Sequence, residues 1–424
     1  METVVEGRAY YQGNLVECCI GIEGGKIVSI KKVLKGEKHY NYSNKLILPA
    51  AIDAHVHFRD PGLTYKEDFQ TGTIAAAFGG VSCIFDMPNT LPPAISSETI
   101  KEKMESVAKK AWIDFGLFGG CVSSFKPESI ADMVIGYKLF MSSITGELLV
   151  PDDQSMIKIM TSVSKTGKVI SVHAEDERMI RKLPEINLLD HDRNRPIEAE
   201  ISAIEKLVSN FSGNRVHICH ISSARSFNSI RDTKFTTEVT PHHLLLDNSC
   251  ELGAFGKVNP PLRNRNEREL LFEAFIQGKF DIIASDHAPH TIEEKEDDFD
   301  VAPCGMPGVE TTVPLMLNLV KRDLIDLKTF TKCACERPAE IFGLRKGRIE
   351  VGFDGDLIVV DHKKIERIKA ENLHSKCDWT AFENYEAIFP HALFLRGMLV
   401  MEDRSIVGER AGRNVVVRRE KSQH

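Results

Sequence analysis

The sequence predicts an α/β protein: a (β/α)8 TIM barrel carrying a small β domain assembled from the N- and C-terminal segments. Three observations predict it. The middle of the chain alternates short, almost continuous apolar runs with amphipathic stretches, the pattern of parallel strands buried on both faces and covered by helices. Eight such units follow one another, the number that closes a barrel. Both ends of the chain read instead as short strands separated by Gly- and Asp-containing turns. The expected division is a β domain of residues 1–46 and 346–424 around a barrel of residues 47–345.

Taken in order, Ile20-Gly21-Ile22 and Lys26-Ile27-Val28-Ser29-Ile30 flank Gly24-Gly25, a hairpin signal. The barrel runs are residues 46–56, 81–86, 113–118, 135–140, 169–173, 216–221, 236–240 and 281–285. Helical segments lie between them, such as residues 97–110, 196–211 and 266–277. No G-x-G-x-x-G follows the first strand, which argues against an open doubly wound sheet. The acidic run 293–300 reads as a solvated loop. Leu357-Ile358-Val359-Val360, Ala392-Leu393-Phe394-Leu395 and Asn414-Val415-Val416-Val417 are the strands expected of the returning β domain.

Composition narrows the function. The 424 residues carry 54 Lys and Arg against 61 Asp and Glu, a net charge of -7. A nucleic-acid or anionic-membrane surface needs a basic surplus, so neither partner is expected. Hydrophobic content of 42% supports a sizeable core. No run reaches the roughly 18 apolar residues of a membrane span. Glu2, Glu6 and Arg8 leave no apolar signal-peptide core, so the expected location is cytoplasmic. Ten cysteines are scattered without a C-x-x-C pair, as expected of reduced structural thiols.

The unusual residues gather at strand ends. Asp53-Ala54-His55-Val56-His57 closes the first run, Lys138 sits inside Tyr137-Lys138-Leu139-Phe140, and His173 and His220 fall at the ends of theirs. Asp286 follows the eighth run, with His290 four residues later. Barrel active sites are built at that carboxyl face. In His-x-His the two imidazoles point the same way and can share a metal. A lysine within an apolar strand is costly unless something there uses it, the plain alternative being a pair with a nearby carboxylate. His, His, Lys, His, His, Asp in that order point to a metal site. His242-His243 reads as wall, and His217 and His287 as structural.

Asp53-Ala54-His55-Val56-His57-Phe58-Arg59-Asp60-Pro61-Gly62 resembles the first-strand signature of the dihydroorotase family of the amidohydrolase superfamily. Asp86-Met87-Pro88-Asn89-Thr90, Thr240-Pro241-His242-His243-Leu244, Asn259-Pro260-Pro261-Leu262-Arg263 and Ser285-Asp286-His287-Ala288-Pro289-His290 are similar to its later motifs. Ala302-Pro303-Cys304-Gly305 stands where many relatives have Phe before the Gly. The resemblance implies a binuclear zinc enzyme that interconverts N-carbamoyl-L-aspartate and (S)-dihydroorotate in de novo pyrimidine synthesis. It assigns His55, His57 and Asp286 to one zinc and His173 and His220 to the other. Carboxylated Lys138 and a hydroxide would bridge the pair, since a carbamate is an anionic two-oxygen ligand where an ammonium repels zinc. Asp286 would also shuttle the proton. Substrate would meet His57, Arg59, Asn89, Asn259, His290, and the backbone at Cys304 and Gly305. Arg59 offers a planar donor fork to a carboxylate, its alternative being a surface ion pair with Asp60 or Glu67. The partner implied is a small molecule. A homodimer stays open, and association with aspartate carbamoyltransferase is unsupported.

Two rivals remain at this point. Dihydropyrimidinases, hydantoinases and allantoinases share the metal set, but generally lack Arg59 with Asn89 because their substrates bear no matching ring carboxylate. A non-catalytic scaffold would typically have lost metal ligands, and all six are present.

Overall fold

The computed structural model describes residues 1–123, 126–143, 148–150, 152–211, 215–230 and 233–416. Eight parallel strands follow one another in sequence order: Ala51–Val56, Val81–Asp86, Asp114–Gly120, Gly136–Phe140, Val169–His173, Val216–Ile218, Thr236–Val239 and Ile282–Ile283. A parallel bridge from Val56 to His287 joins the eighth unit to the first and closes the barrel. Side chains fill the interior beneath the strand ends: Phe342 lies 4.7 Å from Phe85 and 5.8 Å from Phe118, with Ile52 and Ile282 in the same cluster. The barrel is a packed core, which leaves the carboxyl ends of the strands as the place for chemistry.

Local sequence sets the covering helices. Ser96 caps Ser97–Ala108 in a capping box with Thr99, and Asp152 caps Asp153–Thr166, which ends on left-handed Gly167. Ile197–Asn210 buries Ala203, Ile204 and Leu207 on one face. The sixth to eighth strands are shorter than the apolar runs suggest. The backbone leaves the ladder early and turns through positive φ at His220 (34°) and Asp286 (46°).

A second eight-stranded sheet gathers both chain ends. Thr3–Tyr11 pairs antiparallel with Asn14–Glu23 and parallel with Lys38–Pro49, which in turn pairs antiparallel with Leu357–Val360. The apolar stretch 46–56 is therefore divided: Leu46 to Pro49 belong to this sheet, and the barrel strand starts at Ala51. Lys346 ties the two sheets together, its ammonium 2.7 Å from Asp114 of the third barrel strand and from Asp356, and 2.9 Å from Asp354.

One expected strand of the β domain lies elsewhere. Asn414 bridges Phe115 in parallel, and the Phe115 amide donates to Arg413 O at 2.9 Å. The fourth barrel strand pairs with the third only from Phe118 onward, so the start of the third strand has an open edge that residues 413–415 cover. Val417, read as part of the same run, lies outside the described residues, as do 144–146 of the loop after Lys138. All ten cysteines are free thiols, eight of them buried. Among the described residues no helix is long and apolar enough to cross a membrane.

Candidate metal and substrate site

The barrel mouth brings the expected residues to one cavity. His55, His57, Arg59, Asn89, Lys138, His173, His220, Asn259, Asp286, Cys304 and Gly305 line it, together with Phe140, Val258 and Ala288. His290 is the one expected residue outside that lining; it stands behind Arg59, its Nε2 3.1 Å from the Arg59 Nη2.

The alternating pleat of the first strand turns His55 and His57 to the same side. Their Nε2 atoms converge on one oxygen, Asp286 Oδ1, at 3.3 and 3.2 Å. These three side chains form a compact donor set, with His55 and His57 buried and the Asp286 side chain 12% exposed toward the cavity. From the fifth and sixth units, His173 Nδ1 and His220 Nε2 face each other at 3.1 Å. Lys138 reaches between the groups, its Nζ 3.3 Å from His55 Nε2 and 3.1 Å from Cys219 Sγ. It is buried, and among the described residues it pairs with no carboxylate, so the plain alternative for this lysine fails.

The electrostatics suit a cation. Burial lowers His57 to about 4, and pushes His173 down and His220 well down, which leaves their imidazoles neutral with lone pairs to give. Burial alone would raise the Asp286 carboxyl, but His55, His57 and His220 outweigh it and hold it well below the usual range. Burial and the Lys138 ammonium pull His55 down, yet Glu238 and Asp286 outweigh both and hold it at about 10. The position between these groups favours positive charge. Three neutral imidazoles and an ionised carboxylate stand around that position, and a cation there would take the place of the His55 proton, so the residues fit a metal centre.

Partners behind the donors fix their orientation. Glu238 Oε1 lies 2.8 Å from His55 Nδ1 and also accepts the His220 amide at 3.0 Å. His173 Nε2 is 2.7 Å from Glu175, which Arg195 holds at 2.6 Å. Asn89 Oδ1 lies 2.6 Å from His57 Nδ1, so the side chain expected to meet substrate also orients a metal donor. Neither Glu238 nor Glu175 was expected from sequence. Glu238 carried little signal: in Thr236-Thr237-Glu238-Val239-Thr240 only Val239 is apolar, so a carboxylate there does not stand out as Lys138 does in its strand.

Arg59 is buried at 3% exposure and has no carboxylate partner among the described residues. Asp60 pairs instead with Lys110 at 2.7 Å, and Glu67 bonds Ser375 at 2.6 Å. The surface-pair alternative for Arg59 is thereby excluded. Its Nε donates to Pro289 O at 3.3 Å, and its backbone has φ 60°. A non-glycine residue held left-handed costs on the order of 1–3 kcal/mol, and Arg59, His220 and Asp286 all carry that strain at the site. A buried guanidinium facing a cavity with no salt-bridge partner among the described residues has the donor geometry to take an anion. Beside it Gly305 has φ 139°, and a Cβ there would clash with the Ala288 carbonyl.

The acidic run 293–300 does more than solvate. Lys295 is buried and donates to the carbonyls of Pro303 at 2.9 Å and Gly305 at 3.1 Å, pinning the strip that carries Cys304. His191, assigned nothing from sequence, sits with its Nε2 3.0 Å from Asn259 Oδ1. His243 is held between Thr240 Oγ1 at 2.8 Å and Pro260 O at 3.0 Å, a wall position as expected, while buried His242 has an unpartnered Nε2 among the described residues. His217 bonds Thr236 at 2.9 Å, and His287 takes the Gly308 amide at 3.1 Å, both structural.

A barrel of this kind with this donor set defines a class, and the comparisons agree with it: the chain belongs to the amidohydrolase family, whose model matches residues 46–388. Within that family it is similar to curated dihydroorotases. That of Methanosarcina acetivorans is 38% identical, covering 94% of this chain and 91% of the relative. That of Thermoplasma volcanium is 38% identical over 98% of each. Among solved structures, an L-hydantoinase from Arthrobacter aurescens superposes with a TM-score of 0.93 at 27% identity, covering 98% of this chain and 100% of that one. A dihydropyrimidinase from Brevibacillus agri gives 0.89 at 26%, covering 98% of each chain.

Proposed function

We infer that the site opens and closes one cyclic amide bond, interconverting (S)-dihydroorotate and water with N-carbamoyl-L-aspartate, the dihydroorotase reaction of pyrimidine synthesis. The observation that carries this reading over a hydantoinase's is Arg59: a buried cation with no carboxylate in salt-bridge contact among the described residues, two residues beyond His57 and lining the same cavity as Asn89. A substrate bearing a ring carboxylate supplies the missing charge. The similarity to curated dihydroorotases at 38% identity, against 26–27% for the hydantoinase and dihydropyrimidinase structures, supports the same choice.

The residues in place would hold two zinc ions: His55, His57 and Asp286 one, His173 and His220 the other, with Lys138, carboxylated on its amine, shared between them. Such a pair, when bound, supplies a hydroxide near neutral pH and polarises the amide carbonyl. The protein does the rest. Arg59, with Asn89 and His290, holds the substrate carboxylate. Asn259 and the backbone at Cys304 and Gly305 read the ring amides. Asp286, ionised and facing both imidazoles, takes the proton of the nucleophile as it attacks. The ring nitrogen cannot leave as an anion, so Asp286 returns that proton to it; in ring closure the same carboxylate removes the proton from the attacking nitrogen. A cytoplasmic enzyme goes with this reading, its β domain built from the two ends of the chain and its catalytic barrel from the middle, with the boundary after Pro49 and residues 413–415 on the barrel edge.

The test is turnover of dihydroorotate, hydantoin, dihydrouracil and allantoin side by side, with zinc measured on the same sample. Dihydroorotate should turn over fastest with two zincs per chain. Faster allantoin or dihydrouracil turnover would overturn the substrate, and a zinc-free protein without turnover would make the chain a scaffold.

A further inference from the structure

The polar chain behind Arg59 points to a residue that neither the motifs nor the chemistry above employs. Lys66 is 6% exposed. Its Nζ lies 3.0 Å from His290 Nδ1 and 2.8 Å from Glu294 Oε1. On its other side the same imidazole has Nε2 3.1 Å from Cys304 O and 3.1 Å from Arg59 Nη2. Glu294 is held in place by the capping box it forms with Thr291.

An ammonium has three protons and no lone pair, so it can only donate. Facing Lys66, His290 Nδ1 must accept. Burial first, then the Arg59, Lys66 and Lys295 cations, push His290 far below its ordinary range, so the ring is neutral and holds a single proton. With a lone pair at Nδ1 that proton sits on Nε2, where it donates to Cys304 O and faces the Arg59 Nη2 donor, a donor–donor contact that an incoming carboxylate oxygen relieves by taking both protons. The opposite tautomer has a candidate partner in Glu294 Oε2, 3.4 Å from Nδ1. In that tautomer Nε2 becomes an acceptor at 3.1 Å from Arg59, and the guanidinium spends a donor on the imidazole. The tautomer of one buried ring thus decides whether the corner presents two donors to an incoming oxygen or closes on itself.

We propose that Lys66 is a positioning residue that fixes the proton of His290 on Nε2, keeping Arg59 and His290 both as donors for the substrate carboxylate. The substrate half of this statement rests on the dihydroorotase reading; the tautomer half stands without it.

The experiment is 15N NMR of the zinc-loaded protein labelled at histidine, with the His290 resonances identified by their loss in His290→Gln. In the unaltered protein Nδ1 should have the shift of an unprotonated ring nitrogen and Nε2 that of a protonated one. Lys66→Met should reverse the two, and Lys66→Arg, which keeps a donor, should restore the original pattern. In parallel, Lys66→Met should raise KM for dihydroorotate at least about tenfold, with a smaller change in kcat and unchanged zinc, because a buried donor is lost from substrate recognition. A proton on Nδ1 in the unaltered protein overturns the proposal even if Lys66→Met fails to fold. So does a tautomer that stays the same in a folded Lys66→Met. If the unaltered protein does not turn over dihydroorotate, the substrate reading fails while the NMR result still decides the tautomer.

Discussion

The two halves of the cavity are held by different kinds of structure. The six candidate metal donors sit on or just past five barrel strands, where the pleat and a closed hydrogen-bond ladder set direction, with Glu238 behind His55 and Glu175 behind His173. The anion corner is made of loop residues: Arg59 after the first strand, Asn89 after the second, and His290, Cys304 and Gly305 after the eighth. No ladder orients them, and their geometry depends on side chains brought from elsewhere, Lys66 to His290 and Lys295 to the 303–305 carbonyls. Asn89 belongs to both halves through its 2.6 Å contact with His57. The lesson is that a strand sets most of a donor's direction and leaves a single partner to complete it, whereas a loop-borne receptor needs a second set of polar residues to hold it still.

Substitutions on the two sides should therefore fail in different ways. The largest effect is expected at Lys138. Lys138→Ala removes the shared ligand, so metal analysis should show loss of the two-metal site and turnover should fall by at least about 1,000-fold, the several kcal/mol that metal stabilisation supplies. An active two-zinc enzyme whose intact mass shows an unmodified Lys138 would break the bridging role.

Next is Asp286→Asn. An amide oxygen still binds metal but carries no proton, so much of the zinc should remain while kcat drops by about 100- to 10,000-fold. Near-normal turnover in the zinc-replete variant would leave Asp286 a ligand only and move the proton to another group or solvent.

Arg59→Met separates the halves most sharply. It should cost about 2–5 kcal/mol in kcat/KM, the range for breaking a buried charge pair, with zinc intact. Loss of zinc along with activity would mean the two halves are one mechanical unit.

The smallest effect is expected behind the metal donors. Glu238→Gln leaves His55 in place but weakens its orienting partner, for a loss of about 10- to 100-fold in metal affinity or activity. Titration of the apo-protein with zinc measures it, and unchanged affinity would show that the strand alone orients His55.

What the sequence determined by itself follows from period and anomaly. The alternation of apolar runs and amphipathic stretches is a local property, and it specified a parallel barrel between two β-rich ends. His-x-His at a strand end, and a lysine inside an apolar strand, are anomalies visible in one dimension, because burying such groups is costly unless something holds them. Tertiary structure alone decided the rest. Residues 413–415 are β-prone in sequence, but only the late start of the fourth strand leaves the edge on which they settle. The stretch 46–56 reads as one run, yet pairing with Leu357–Val360 assigns its first part to the other sheet. Lys66, Glu294, Lys295 and His191 look like ordinary polar residues of loops and short helices. Their roles come from partners met only in the fold, 8 and 10 positions away for Lys295, 68 for His191 and 224 from Lys66 to His290. Hydrogen bonds act over about 3 Å in space and carry no trace of that separation in sequence.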